Sequence, residues 1–148
     1  MSYNGLDIRR EIILTHYENP HNKLEGDVDK MKGYTAANNN SPSCIDNITA
    51  FTQVKNDKII DVKFAGVACA IATASTDIMA NMLKNQNVKD ANKFIDNYLS
   101  MIDNRKTNKK ILGELIAFEN VNRQLNRINC AKVGILAIKQ ALNKNHEV

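Results

Sequence analysis

Three cysteines and one aspartate carry the most distinctive chemistry in this sequence. Cys44 and Asp46 lie in Ser41-Pro42-Ser43-Cys44-Ile45-Asp46, Cys69 in Val67-Ala68-Cys69-Ala70, and Cys130 in Ile128-Asn129-Cys130-Ala131. In an extended chain residues i and i+2 project to one side, so the Cys44 thiol and the Asp46 carboxylate can serve one metal. Cys69 is predicted at the mouth of a helix and Cys130 in the first turn of another. Helix N-termini are electropositive and favour thiolate, the form that binds metal and attacks sulfur. Three thiolates and one carboxylate would fill the tetrahedral shell of zinc or anchor an iron–sulfur cluster. An odd number of cysteines cannot all pair internally, which excludes a closed disulfide framework. The competing role is that of small buried hydrophobes. The placement of all three at element ends, one of them beside an acid, favours the site.

The elements that position these residues follow from periodicity. Residues 6 to 17 place Ile8, Ile12 and either Ile13 or Tyr17 at helical spacing, with Arg9, Arg10 and Glu11 for the wet side, and Asn19-Pro20 ends the helix. A polar loop from His21 to Lys32 leads to a short extended piece around Tyr34. Residues 48 to 54 alternate Ile48, Ala50, Thr52 and Val54 against Thr49, Phe51 and Gln53. After Asn56-Asp57, residues 58 to 65 put Ile60, Val62 and Phe64 on one face and Asp61 and Lys63 on the other. Two alternating runs about a short Asn/Asp turn predict an antiparallel hairpin. Such a hairpin returns the chain, so Cys44 before its first strand and Cys69 after its second become neighbours.

Beyond Cys69 the period becomes helical, with Ile71, Ala74, Ile78 and Met82 on one stripe, then Ala91, Ile95, Tyr98 and Ile102 on another. The charged stretch 103–110 is a surface connection, 111–118 a short helix, and a last helix from about Ile128 carries Ala131, Ile135, Ile138 and Leu142. Met79, Met82 and Met101 belong to the core. The order predicts an α+β fold, a small antiparallel sheet of about three strands with helices packed on one face, in a single domain over 1–148. His16 is expected as a packing or helix-end contact, and His146 lies in the tail.

Composition narrows the function. The chain has 148 residues, 20 Lys and Arg against 16 Asp and Glu, and a net charge of +4. The basic residues are scattered, the longest basic stretch being Arg105, Lys106, Lys109 and Lys110, so a nucleic-acid partner is not expected. Asn-rich tracts such as Asn38 to Asn40 are as readily a coding bias as a chemical feature. No apolar run approaches the roughly 20 residues a bilayer helix needs, and the N-terminus lacks the pattern of a secretory signal. A soluble, cytoplasmic protein with no membrane partner is expected.

Several motifs in order resemble the IscU/SufU (NifU N-terminal-like) family of iron–sulfur cluster assembly proteins over nearly the whole chain, closest to the zinc-binding SufU branch. They are His16-Tyr17-Glu18-Asn19-Pro20 with Asn22, the Cys-x-Asp of Cys44 and Asp46, Phe64-Ala65-Gly66-Val67-Ala68-Cys69 with Ala70-Ile71-Ala72, and Arg127-Ile128-Asn129-Cys130-Ala131. IscU scaffolds carry a His directly before the third Cys and a Leu-Pro-Pro-Val-Lys chaperone motif. Here position 129 is Asn, and Pro20 and Pro42 are the only prolines. The 61 positions from Cys69 to Cys130 resemble the longer SufU interval, and Arg127 sits where SufU proteins similarly have Arg. The family's Cys-Gly-Asp is Cys-Ile-Asp here, and a β-branched Ile45 does not have glycine's backbone freedom.

The resemblance implies a Zn2+ ion held by Cys44, Asp46, Cys69 and Cys130, with iron or a [2Fe-2S] cluster as the alternative. It implies a zinc-dependent sulfurtransferase that accepts persulfide sulfur from a pyridoxal-phosphate-dependent, SufS-like cysteine desulfurase and passes it to a downstream scaffold or sulfur acceptor. The pyridoxal phosphate belongs to the desulfurase. Cys44 is then the acceptor, freed when a desulfurase histidine replaces it on the metal, and Arg127 is a further residue of the site. An IscU-type scaffold is the alternative function, and a module with a purely structural zinc is disfavoured because carboxylate is a rare ligand in closed structural sites.

Overall fold

In the computed structural model, which describes residues 5–26, 28–41 and 45–144, the chain runs α1 (Leu6–Glu18), β1 (Thr35–Asn40), β2 (Asn47–Lys55), β3 (Lys58–Val67), α2 (Ala70–Leu83), α3 (Val88–Ile102) and α4 (Leu125–Lys144). Three-residue 3-10 turns cover Val28–Lys30 and Lys109–Ile111, and a longer 3-10 segment covers Gly113–Arg123. The strands form one antiparallel sheet in the order β1-β2-β3. The helices α2 and α4 pack on it, with α4 against β1 and β2 and α2 against β3. The expected α+β sheet with its helical cover is therefore the observed one.

The predicted hairpin turn is Asn56-Asp57, both left-handed with φ of 54° and 64°. Two consecutive positive-φ residues make the tight turn whose twist matches paired strands, and Asn and Asp tolerate that conformation. Alternation fails at one place. Ile59, not Ile60, enters the core, and Ile60 is exposed. The cause is a register shift between Gln53 and Val54: Val54 pairs with Ile59 while Gln53 pairs with Asp61, so Ile60 is the extra residue of a bulge.

The Asn-rich tract is structural after all. Asn38, Asn39 and Asn40 are the end of β1, and the Asn38 amide donates to Asn47 Oδ1 at 2.7 Å and Thr49 Oγ1 at 2.9 Å, while Asn39 Nδ2 donates to the Val133 carbonyl at 3.1 Å. The opposite edge of the sheet is covered by loops. Phe64 donates to the Asn22 carbonyl and receives Leu24 N–H at its own, and Ile59 does the same with Gln86 and Asn85.

Every residue from Ile71 to Ala80 in α2 is buried. An apolar stripe alone would put Thr73, Ser75 and Thr76 in water. Instead their hydroxyls return to backbone carbonyls of Ala68 and Ala72, so the helix can be enclosed without stranded donors. Helix α4 lies very close to it: a Cβ built on Gly134 would stand 1.7 Å from Thr76 Oγ1. Tyr98 of α3 ties in by donating to the Ala131 carbonyl at 2.8 Å. In α1 the expected wet face is partly reversed. Arg9 is buried and pairs with Glu119 at 3.0 Å, His16 is buried, and Ile8 and Tyr17 are exposed.

Candidate metal centre

The hairpin carries Asp46 to its start and Cys69 to its end. Asn47 pairs with Val67, so the residues flanking those two meet beyond the ladder. The approach is close enough to require glycine at position 66, whose φ is +126° and where a Cβ would lie 2.0 Å from the Asn47 carbonyl oxygen. Cys69 then caps α2. Its backbone N–H donates to Asp46 Oδ1 at 2.7 Å, its Sγ accepts from Ala72 N–H at 3.5 Å, and its thiol donates to Asp46 Oδ2 at 3.6 Å. The carboxylate of Asp46, 1% exposed, is thus aimed at the thiol by the cap itself.

Cys130 arrives from α4. That helix begins at Leu125, three residues before the predicted start, so Cys130 sits in its second turn rather than its first. Its thiol donates to the Asn126 carbonyl at 3.8 Å, and the helix-terminus argument for its ionisation does not hold. Packing still delivers it. The close approach at Gly134, one turn on, brings the Asp46, Cys69 and Cys130 ligand atoms within 4.8 Å of one another.

These donors fit a zinc ion. A thiolate at ~2.3 Å and a carboxylate oxygen at ~2.0 Å on one tetrahedral zinc stand roughly 3.5 Å apart. The Cys69 thiol donates to Asp46 Oδ2 at 3.6 Å, a separation that would also suit two ligands on one ion once the thiol proton is lost. Two sulfurs and one oxygen leave a fourth position. Cys44, two residues before Asp46 in sequence, lies outside the described residues, and Ile45 is 73% exposed. Arg127 is exposed on the first turn of α4 and lines a groove with Arg9, Arg10, Ala70, Ile71 and Gln124, next to the start of α2. Its side chain makes no hydrogen bond or ion pair among the described residues.

A second cluster was not expected from the sequence. His16, His21 and Asp77 also bring ligand atoms within 4.8 Å of one another. Its wiring differs. His16 Nδ1 and Asp77 Oδ2 are 2.7 Å apart, and Asp77 Oδ1 accepts from Asn22 N–H at 2.8 Å and Asn22 Nδ2 at 3.1 Å. A nitrogen and an oxygen on one zinc stand roughly 3.3 Å apart, so the 2.7 Å pair is a hydrogen bond holding a proton, and the carboxylate is spent on donors. Asn22 also donates to Asn81 Oδ1 at 2.9 Å and accepts from Lys84. His16 Nε2 faces Glu114 at 3.5 Å. The bond to Asp77 holds the imidazole above its ordinary 6.5, against the effect of burial. Burial pushes the Asp77 carboxyl up, but His16 and the N–H groups of His21 and Asn22 outweigh it and hold it below 3.8. The only sequence signal was the motif itself, His16 through Asn22.

The fold is thus a small α+β domain that converges two thiols and a carboxylate from a strand start, a helix cap and a second helix. The chain belongs to the NifU-like N-terminal domain family of iron–sulfur cluster assembly, whose profile matches residues 8–146. It is 29% identical to the zinc-dependent sulfurtransferase SufU of Bacillus subtilis over 147 residues, 97% of each chain. It is 29% identical to the iron–sulfur cluster assembly scaffold protein IscU of Streptococcus pyogenes over 135 residues, 90% of this chain and 82% of the other. Among solved structures it resembles FiSufU of Fervidobacterium islandicum AW-1, described as an iron–sulfur cluster assembly scaffold protein for the SUF system, with a TM-score of 0.78, 27% identity, and coverage of 89% and 94% of the two chains. No helix among the described residues is long and apolar enough to cross a membrane.

Proposed function

We propose that this protein is a zinc-dependent sulfurtransferase of iron–sulfur cluster assembly, with Asp46, Cys69, Cys130 and Cys44 as the metal ligands and Cys44 as the sulfur acceptor. The observation that carries the reading is the convergence of Asp46, Cys69 and Cys130 within 4.8 Å from three separate elements. The SufU relative, matched along 97% of both chains, supports the choice of zinc and of sulfur transfer. Bound zinc would keep the thiols deprotonated and out of reach of stray oxidants.

The chain's own residues set the division of labour. Cys69 is fixed by its cap, its backbone N–H on Asp46 and its sulfur on Ala72, and Cys130 is fixed by α4. Cys44 precedes the exposed Ile45 in sequence, which supports its assignment as the ligand released to a partner. The donor is the persulfide of a pyridoxal-phosphate-dependent cysteine desulfurase. The Cys44 thiolate attacks its outer sulfur, a new S–S bond forms on Cys44, the donor's S–S bond breaks, and the donor cysteine leaves as a thiolate. No net oxidation occurs. Arg127 lines the groove beside the start of α2, which supports a role for it in meeting that partner.

Metal analysis of protein purified without oxygen tests the reading. Zinc near one equivalent with no visible chromophore is expected, and Cys130→Ser should lose it. Cys44→Ala should abolish stimulation of desulfurase turnover. A coloured cluster stable to dilution would replace this reading with an IscU-type scaffold, and unchanged zinc in Cys130→Ser would end the shared-site assignment.

A further inference from the structure

A cavity of about 430 Å3 lies where the C-terminal end of α3 meets the 3-10 segments that follow it. Its lining includes Arg105, Lys109 and Arg123, the carboxylate of Glu119 and the carboxamides of Asn104 and Asn120. None of the candidate metal ligands borders it.

Its walls are held by the backbone. Helix α3 closes with Asn104 N–H on the Met101 carbonyl at 3.1 Å and Arg105 N–H on the Ser100 carbonyl at 2.7 Å, while Asn104 adopts φ of 58°. This paired closure with a left-handed residue is a Schellman cap, and it sets the direction in which Arg105 leaves the helix. The next stretch is stapled to α3 by Asn97, whose amide donates to the Asn108 carbonyl at 2.8 Å and accepts Asn108 N–H at 2.9 Å.

The charges inside are not balanced. Glu119 accepts from Arg9 at 3.0 Å and Lys109 at 2.6 Å, and the Lys109 bond leads in holding its carboxyl below the usual range. That acid is therefore already matched. The guanidinium groups of Arg105 and Arg123 make no hydrogen bond or ion pair among the described residues, and neither do the side chains of Asn104 and Asn120. Two unpaired forks and the carboxamides of Asn104, Asn120 and Asn122 thus face one cavity, and among the described residues no carboxylate receives the forks. Guanidinium forks match the oxygens of phosphate in pairs of charge-assisted bonds, and neutral amides add donors without adding repulsion. The space exceeds what a lone phosphate group fills.

We infer that this cavity binds a small phosphate-bearing anion, a phosphomonoester, through Arg105 and Arg123. The inference is independent of the metal centre and of sulfur transfer. Calorimetric titration of the full chain with inorganic phosphate and with ribose 5-phosphate tests it. Saturable one-to-one binding is expected for both, tighter for the ester. Arg105→Gln and Arg123→Gln should each weaken it about tenfold, the effect of losing one charge-assisted contact. Both residues are exposed, so thermal melting should show the variants folded. Glu119→Gln should tighten binding severalfold by removing the one negative group in the lining, and Lys55→Gln, on the far end of β2, should leave it unchanged. Absence of saturation at millimolar ligand, or an equal loss in Lys55→Gln, would overturn the inference.

Discussion

Helix α2 carries two clusters of metal-capable side chains, Cys69 with Asp46 and Cys130 at its N-terminus and Asp77 with His16 and His21 two turns further on. Both gather three ligand atoms within 4.8 Å. They differ in what the donors already hold. Asp77 accepts from N–H groups of His16 and Asn22, whereas Asp46 accepts from the backbone N–H of Cys69 at one oxygen and from its thiol at the other. Both clusters are held by hydrogen bonds of their own, His16 to Asp77 at 2.7 Å and the Cys69 thiol to Asp46 at 3.6 Å, and the longer separation is also the one that two ligands of a single zinc ion would show.

The largest break in this contrast is Asp77→Ala. It strands the Asn22 donors and an imidazole in the core, and loss of one partner of a buried charged pair costs about 3–5 kcal/mol. Urea unfolding should show that loss while the protein that remains folded keeps the metal content of the unsubstituted chain. Gly134→Ala should do the reverse in kind. The new Cβ, 1.7 Å from Thr76 Oγ1, must push α4 from α2. Such overpacking costs about 1–3 kcal/mol, more than alanine's better helix propensity returns. Because Cys130 rides on the same helix one turn earlier, zinc affinity in a chelator competition should fall with it.

The pH dependence of unfolding sharpens the contrast further. His16 is raised by its bond to Asp77 and by Glu114, so its contribution is full below 6.5 and is lost as pH rises through its folded value. Asp77 is lowered, so its contribution is present above 3.8 and is lost as pH falls through its folded value. Urea midpoints should form a plateau between those limits, and His16→Gln should flatten the alkaline side. The smallest effect belongs to His21→Ala. An exposed ring that packs edge-on to His16 at 5.5 Å and bonds Asn81 through Nδ1 should change stability by no more than about 0.5 kcal/mol and leave the metal content unchanged. A drop in zinc would make the second cluster a metal site after all.

The sequence revealed what depends on short range. The hairpin was legible because two alternating runs flank Asn56-Asp57, and the meeting of Asp46 with Cys69 because that hairpin must return the chain, while Cys44 lies outside the described residues. The Asp77 cluster was not, since an apolar stripe through Ile71, Ala74 and Ile78 implies a polar opposite face in water, and only tertiary packing encloses α2 on all sides. Strand β1 was legible only as a short extended piece around Tyr34, because its length through Asn40 is asparagine rather than alternating apolar residues. Ile60 misled because a one-residue bulge is invisible to periodicity, and the start of α4 because Leu125, an apolar residue, is 83% exposed.

The loops that cover β3 have a consequence for the protein's life among its neighbours. A bare strand edge is a template on which another chain can polymerise. Here Asn22 and Leu24 occupy the edge groups of Phe64, and Asn85 and Gln86 those of Ile59, so recruitment along that side would first require peeling away the chain's own segments. Asn22 is at once that edge guard and the donor that satisfies Asp77, which ties resistance to aggregation to an intact buried cluster.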